Sequence, residues 1–213
     1  MAQAVRLCDR TGPITMPGTK YTVFAAVILV LALALGAISW LWPKETHSPI
    51  SSGEALVGGP FTLVDQDGKA VTEQQLLGKP TLLFFGYTFC PDVCPTELQV
   101  MSAAVRELGT AAPRVFFVTI DPERDTPEVL KSYLASFDPP VTGLTGSAEQ
   151  VATMAKAYRI FYQKVAMGSS GDYRMDHTSL VYLMGADGKF VTYFDYTTDA
   201  KTLTAALRKA LAP

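Results

Sequence analysis

The chain has 213 residues, a formal charge of −2 and only three cysteines. That length suits one globular domain with accessory segments. A near-neutral charge with no basic stripe argues against a nucleic-acid-binding surface.

The first predicted element is a membrane span. From Tyr21 to Trp42 the stretch YTVFAAVILVLALALGAISWLW carries no charge. As a helix rising ~1.5 Å per residue it covers roughly 33 Å, enough for a bilayer core. Tyr21, Trp40 and Trp42 stand at its ends, where amphipathic rings favour the interface. The apolar core of a cleaved signal peptide is shorter, about 7–15 residues, and precedes small residues rather than Trp-Leu-Trp-Pro. Residues 21–42 are therefore expected to stay as an anchor. Arg6, Arg10 and Lys20 precede the run, which predicts a cytoplasmic tail over residues 1–20 and delivery of everything after Pro43 to the far side. That side is the periplasm in a bacterium and the intermembrane space in a mitochondrion. The tail contains Asp9 and lacks the Arg/Ser-rich pattern of a presequence, which favours a single-pass protein of a bacterial inner membrane. Cys8 falls on the cytoplasmic side and cannot meet the other two cysteines.

Residues 43–57, PKETHSPISSGEALV, are rich in Pro, Ser, Gly and charge and read as a tether. A domain is then expected over residues 58–213, long enough to bury a core without staples. FTLVDQDGKAVT predicts a hairpin turning at Asp67-Gly68. PTLLFFGY is a short continuous apolar run, the pattern of a strand covered on both faces. A helix is expected from about Pro95 to Leu108, with Leu98, Met101, Val105 and Leu108 on one side. RVFFVTI predicts a second buried strand, and TPEVLKSYLASF a second helix with Pro127 in its first turn. A third helix is expected over Ala148–Tyr158, a hairpin around Asp187-Gly188 in SLVYLMGADGKFVTYF, and a closing helix over Leu203–Leu211. Strand–helix–strand–helix, an insert, then strand–strand–helix is an α/β order. It is that of a thioredoxin-like fold with an added N-terminal hairpin, here preceded by one transmembrane helix.

GYTFCPDVCP, Gly86–Pro95, holds the remaining two cysteines in an oxidising compartment. Pro95 lacks an N–H and fits only a first helical turn. The helix is thus expected to begin near Asp92, a candidate N-cap, with Cys90 in the preceding loop and Cys94 in the first turn. Unpaired N–H groups and the positive end of the helix dipole there stabilise thiolates, and both sulfurs are expected to benefit. Two adjacent sulfurs serve as buried thiols, a disulfide, a redox pair or part of a metal site. A purely structural disulfide would close a very short loop, where the entropic gain is smallest.

A metal site needs a third ligand, and the domain contains one histidine, His177, in YRMDHTSLVYL. It leads into a strand expected to lie beside the strand that carries the cysteine loop. Two thiolates and an imidazole suit copper(I), with a fourth ligand copper(II), and equally zinc with an open position; the residues alone do not choose between them. TIDPERDTPE, Thr119–Glu128, follows the second strand at the same end of the sheet. Asp121-Pro122 reads as a turn and Asp125 or Thr126 as a helix cap; alternatively Asp121 or Asp125 orients His177 or supplies charge near a cation. Met175 offers a further thioether. Phe84, Phe85, Tyr87 and Phe89 read as core and pocket wall.

FGYTFCPDVCPTEL, VTIDPERDTPEVL and YRMDHTSLVYL, in this order and spacing, resemble the Sco/SenC family of membrane-anchored, thioredoxin-like copper proteins that assist cytochrome c oxidase assembly. The resemblance covers nearly the whole chain after the tether. It implies copper ligation by Cys90, Cys94 and His177, and supporting roles for Asp121 and Asp125. It further implies delivery of copper to the binuclear copper centre of oxidase subunit II, or reduction of that subunit's cysteines by a Cys90–Cys94 redox pair acting as a thiol–disulfide oxidoreductase. No Met- or His-rich tract is present, so a separate periplasmic copper donor is expected.

Overall fold

The computed structural model describes residues 57–168 and 171–212 together with Ile28, Leu29 and Leu33. The expected tail, nearly all of the anchor and most of the tether lie outside the described residues. Among the described residues no helix is long and apolar enough to cross a membrane.

The strands are β1 (Thr62–Asp65), β2 (Ala70–Thr72), β3 (Thr81–Gly86), β4 (Arg114–Thr119), β5 (Thr142–Thr145), β6 (Tyr162–Ala166), β7 (Tyr173–His177), β8 (Leu180–Met184) and β9 (Phe190–Asp195). The helices are α1 (Val93–Leu108), α2 (Pro127–Leu134), α3 (Ala148–Ala157) and α4 (Ala200–Ala210). Seven strands form one sheet in the order β2-β1-β5-β4-β3-β8-β9. β3, β4 and β5 run parallel, whereas β8 pairs antiparallel with β3 and β9 with β8. The block β4-β3-β8-β9 with its helices is the expected thioredoxin-like arrangement, and the hairpin β1–β2 extends it through β5.

β3 lies at the centre of the sheet and every one of its residues is buried. A parallel strand covered on both faces has no polar side to show, which is why Thr81-Leu-Leu-Phe-Phe-Gly86 reads as a continuous apolar run. α1 packs on α4, α2 on β5 and α3 on β1. Leu98, Met101 and Val105 of α1 are buried; Leu108 is partly so. Thr126 caps α2 by accepting the Val129 N–H at 3.3 Å, so Asp125 is free for other work. Ser147 and Gln150 form a capping box on α3, and Asp199 accepts the Thr202 N–H at 2.7 Å on α4.

Two elements were not expected. β5 is only four residues long, too short to show a period. The segment taken as an insert folds into a separate two-stranded ribbon, β6–β7, in which Tyr162 pairs with His177.

Candidate metal centre

Gly86 ends β3, and the chain leaves the sheet through Tyr87–Pro91 before α1 begins at Val93. Cys90 is half-buried in this loop, and Cys94, the second residue of α1, has no exposure. Pro95 therefore occupies the first turn, where a missing N–H costs no helical hydrogen bond. Asp92 holds the N-cap position but makes no side-chain cap bond. Cys90 Sγ takes over part of that role, accepting the Cys94 N–H at 3.4 Å.

Sequence-distant pairing brings in the third group. β8 lies against β3, with Phe84 opposite Val181. The short link from His177 to Leu180 then places the end of β7 beside the cysteine loop. His177 Nε2 is 3.6 Å from Cys94 Sγ. Its Nδ1 is 3.0 Å from the Thr178 carbonyl. A carbonyl only accepts, so Nδ1 carries the proton and the Nε2 lone pair faces the sulfurs. The edges of Phe84 and Tyr87 box the ring, with centroids 6.4 and 5.9 Å away. One donor atom from each of Cys90, Cys94 and His177 lies within 4.8 Å of the others. In a three-coordinate set, an ion about 2.3 Å from each sulfur and about 2.0 Å from nitrogen would hold its donors roughly 3.7–4.0 Å apart. The 3.6 Å between His177 Nε2 and Cys94 Sγ already matches that spacing, and all three donors lie within 4.8 Å, so closing on one ion takes less than about 1 Å.

The two thiols are not equivalent. The Cys94 thiol donating to its sulfur is the largest influence on Cys90; burial opposes it, and the Cys94 and Asp92 N–H groups assist, pulling its pKa down to about 3. Cys94 is pushed far up by its neighbouring Cys90 sulfur and by burial. Two thiolates were expected from the helix N-terminus; without a cation, one thiolate and one thiol result, because adjacent buried like charges repel.

Asp125 is fully buried and accepts from the Thr88 N–H (3.0 Å), Thr88 Oγ1 (2.6 Å) and Thr119 Oγ1 (2.6 Å). Burial pushes its carboxyl pKa up, against those hydrogen bonds. Thr88 stands two residues before Cys90, so Asp125 ties the cysteine loop to the end of β4. Asp121 is also buried and accepts from Arg124 and from Tyr173 Oη, the latter at 2.9 Å. The His177 ring is aimed by the Thr178 carbonyl; the aspartates instead hold the segments on which Cys90 and His177 stand. Met175 is buried. Phe84, Phe85 and Tyr87 are core, but Phe89 is exposed.

Two further residues shape the site without having been singled out in the sequence. A Cβ on Gly86 would come within 2.8 Å of Phe117 Cε2 and 2.9 Å of Cys94 Sγ, so the sulfur rests where only glycine leaves room. Arg124 reaches across to Tyr173 and Phe89. Beside the ring of His177, a cleft of about 400 Å³ is lined by Val93, Thr178, Leu180, Asp195 and Tyr196 among others, and gives access to the histidine.

Comparison with known proteins agrees with this geometry. Residues 50–212 match the family model described as SCO1/SenC. The structure of Bradyrhizobium japonicum ScoI with copper bound shares 48% sequence identity at a TM-score of 0.67, covering 72% of this chain and 99% of that one. BsSco, described as a member of the Sco family of cytochrome c oxidase assembly proteins with a disulfide switch, shares 26% identity at a TM-score of 0.56, over 72% of this chain and 92% of its own. The Homo sapiens protein SCO1 homolog, mitochondrial, is 40% identical over 165 residues, 76% of this chain and 55% of that protein. The chain spans about half the length of the curated relatives it matches. With two cysteines and a histidine converging at the end of a thioredoxin-like sheet, and a family match over most of its length, the chain belongs to the SCO1/SenC family.

Proposed function

We propose that this protein is a copper metallochaperone that carries its ion on Cys90, Cys94 and His177 and serves cytochrome c oxidase assembly. The observation that carries this reading is the convergence of those three donor atoms within 4.8 Å. Two sulfurs and one imidazole favour a soft or borderline ion, and copper(I) accepts a three-coordinate set. Relatives of the same family are known with copper bound. Copper is cargo here, so the site must release as well as hold it; the cleft beside His177 gives an acceptor a route to the ligand that is not a sulfur. The proposed acceptor is the binuclear copper centre of oxidase subunit II, with a periplasmic donor supplying the ion. The charge-free run over residues 21–42 would keep the domain at the membrane where that subunit is assembled. Anaerobic titration of the full chain with copper(I) tests the reading. It predicts one tightly held ion, lost in Cys90→Ala and Cys94→Ala.

A second reading, thiol–disulfide exchange, is favoured by the unequal thiols and by the disulfide switch described for BsSco. Cys90 thiolate attacks a target disulfide, forming a mixed disulfide and releasing one target thiolate. Cys94 then passes its proton to His177 Nε2, 3.6 Å away, and attacks Cys90. The second target thiolate leaves, so the target gains two electrons and Cys90–Cys94 loses them. The two readings coexist, since copper enters only reduced target thiols.

A further inference from the structure

The strand that carries His177 belongs to the β6–β7 ribbon, which is not paired into the seven-stranded sheet. A lone two-stranded ribbon is marginal in water, so its position must come from side chains. One contact is the burial of Met175. A second is the Tyr87 hydroxyl against the Met175 backbone. The most extensive is Arg124, from the loop between β4 and α2. Its Nη1 donates to the Tyr173 carbonyl at 3.1 Å, and its Nε to the Asp121 carboxylate. That same carboxylate accepts from Tyr173 Oη at 2.9 Å, closing a ring of three groups. The guanidinium also lies over aromatic faces: 3.7 Å from the Tyr173 centroid, 4.6 Å from Phe89 and 5.8 Å from Tyr87. Phe89 immediately precedes Cys90, and Tyr173 begins the strand that His177 ends. One cation therefore touches both segments that bear ligands, through a planar fork and a π-stack that a lysine cannot reproduce together.

We propose that Arg124 is the positioning residue that fixes the His177 strand against the Cys90 loop, so that the third ligand is in place before any ion arrives. Asp125 holds the cysteine loop to the sheet; Arg124 holds the ribbon to the cysteine loop. The consequence for copper rests on the metallochaperone reading, whereas the consequence for the ribbon does not.

The test uses the full chain with Arg124→Met, Arg124→Lys and Tyr173→Phe. In the metal-free protein, hydrogen exchange across β6 and β7 should accelerate at least tenfold in Arg124→Met while β3 and β4 keep their protection. Arg124→Lys should restore part of it, and Tyr173→Phe, which keeps the ring and deletes one hydrogen bond, should give a smaller change in the same direction. Copper(I) affinity should fall about 10–100-fold in Arg124→Met, the range for residues that orient a ligand. The double variant Arg124→Met/His177→Ala should bind no more weakly than His177→Ala, because both changes remove the same ligand. Unchanged exchange in the ribbon, or additive losses in the double variant, would overturn the proposal. Faster ribbon exchange in a protein whose wild type binds no copper would uphold the positioning role and defeat the metallochaperone reading alone. If Arg124→Met does not fold, Tyr173→Phe and Arg124→Lys decide the matter by the same exchange measurement.

Discussion

Cys94 Sγ and His177 Nε2 stand 3.6 Å apart although 83 residues separate them in the chain. The contact exists because β8 runs back along β3, which delivers the end of β7 to the same edge of the sheet from which the cysteine loop departs. Each side of it is set by a different device: Cys94 by the first turn of α1 and the missing side chain of Gly86, His177 by the Thr178 carbonyl and two aromatic edges.

Gly86→Ala tests the first device. Its Cβ would crowd the Phe117 ring and the Cys94 sulfur, both fully buried. The variant should lose about 1–3 kcal/mol of stability from overpacking, read by urea denaturation, and should bind copper(I) more weakly. Wild-type affinity in a destabilised variant would show that the sulfur does not depend on this glycine.

Asp125→Ala should act through the loop rather than through the ion. It strands the Thr88 N–H and two hydroxyls, at a cost of about 1–3 kcal/mol for each group left buried and unpaired. Copper(I) affinity should drop about 10–100-fold, and Asp125→Asn, which keeps one acceptor, should recover part of both losses. Competition titration and thermal melting measure the two effects separately.

Acidification should weaken copper binding with a defined slope. Cys90, with its pKa near 3, is already a thiolate from pH 8 to pH 5.5, so it contributes no pH dependence there. Cys94 is held as a thiol by its neighbour and by burial, and must release its proton when it ligates. One proton must leave Cys94 for every ion bound, so each unit of falling pH should cost at least about tenfold in apparent affinity. A flat profile would show that Cys94 is not a thiolate ligand.

Stability should fall as pH rises through the weakly acidic range, and Glu97 should be one cause. It is buried in α1, and burial, with the nearby Asp195 charge, raises its pKa from 4.5 to about 7. The folded protein then holds this proton more tightly than the unfolded chain. Its stabilising contribution is complete below pH 4.5 and is lost as pH passes through 7. Glu97→Gln should be the more stable protein at pH 8 and should show a smaller loss between pH 5 and pH 8, measured by urea midpoints. An identical pH profile in the two proteins would contradict this assignment.

Much of this was legible in the residues, and the reasons are physical. β3 announced itself because a strand covered on both faces has no polar alternation, and Pro95 located the start of α1 because it is excluded from later turns. Cys90, Cys94 and His177 stand out because the domain holds only two thiols and one imidazole. β5 escaped because Thr142-Gly-Leu-Thr145 is too short to show a period. The unequal thiols escaped because the repulsion between them depends on their burial and separation. Arg124 escaped because an arginine within Pro-Glu-Arg-Asp reads as a solvated turn residue; only the fold brings Tyr173 and Phe89 to it.

The central claim is that His177 joins Cys90 and Cys94 on one ion. X-ray absorption on the copper(I)-loaded full chain, wild type beside His177→Ala, measures this directly. Two sulfurs and one imidazole nitrogen are expected in the wild type, with the nitrogen lost, the two sulfurs kept and the affinity reduced in His177→Ala. Identical spectra and equal affinity in the two proteins would contradict it.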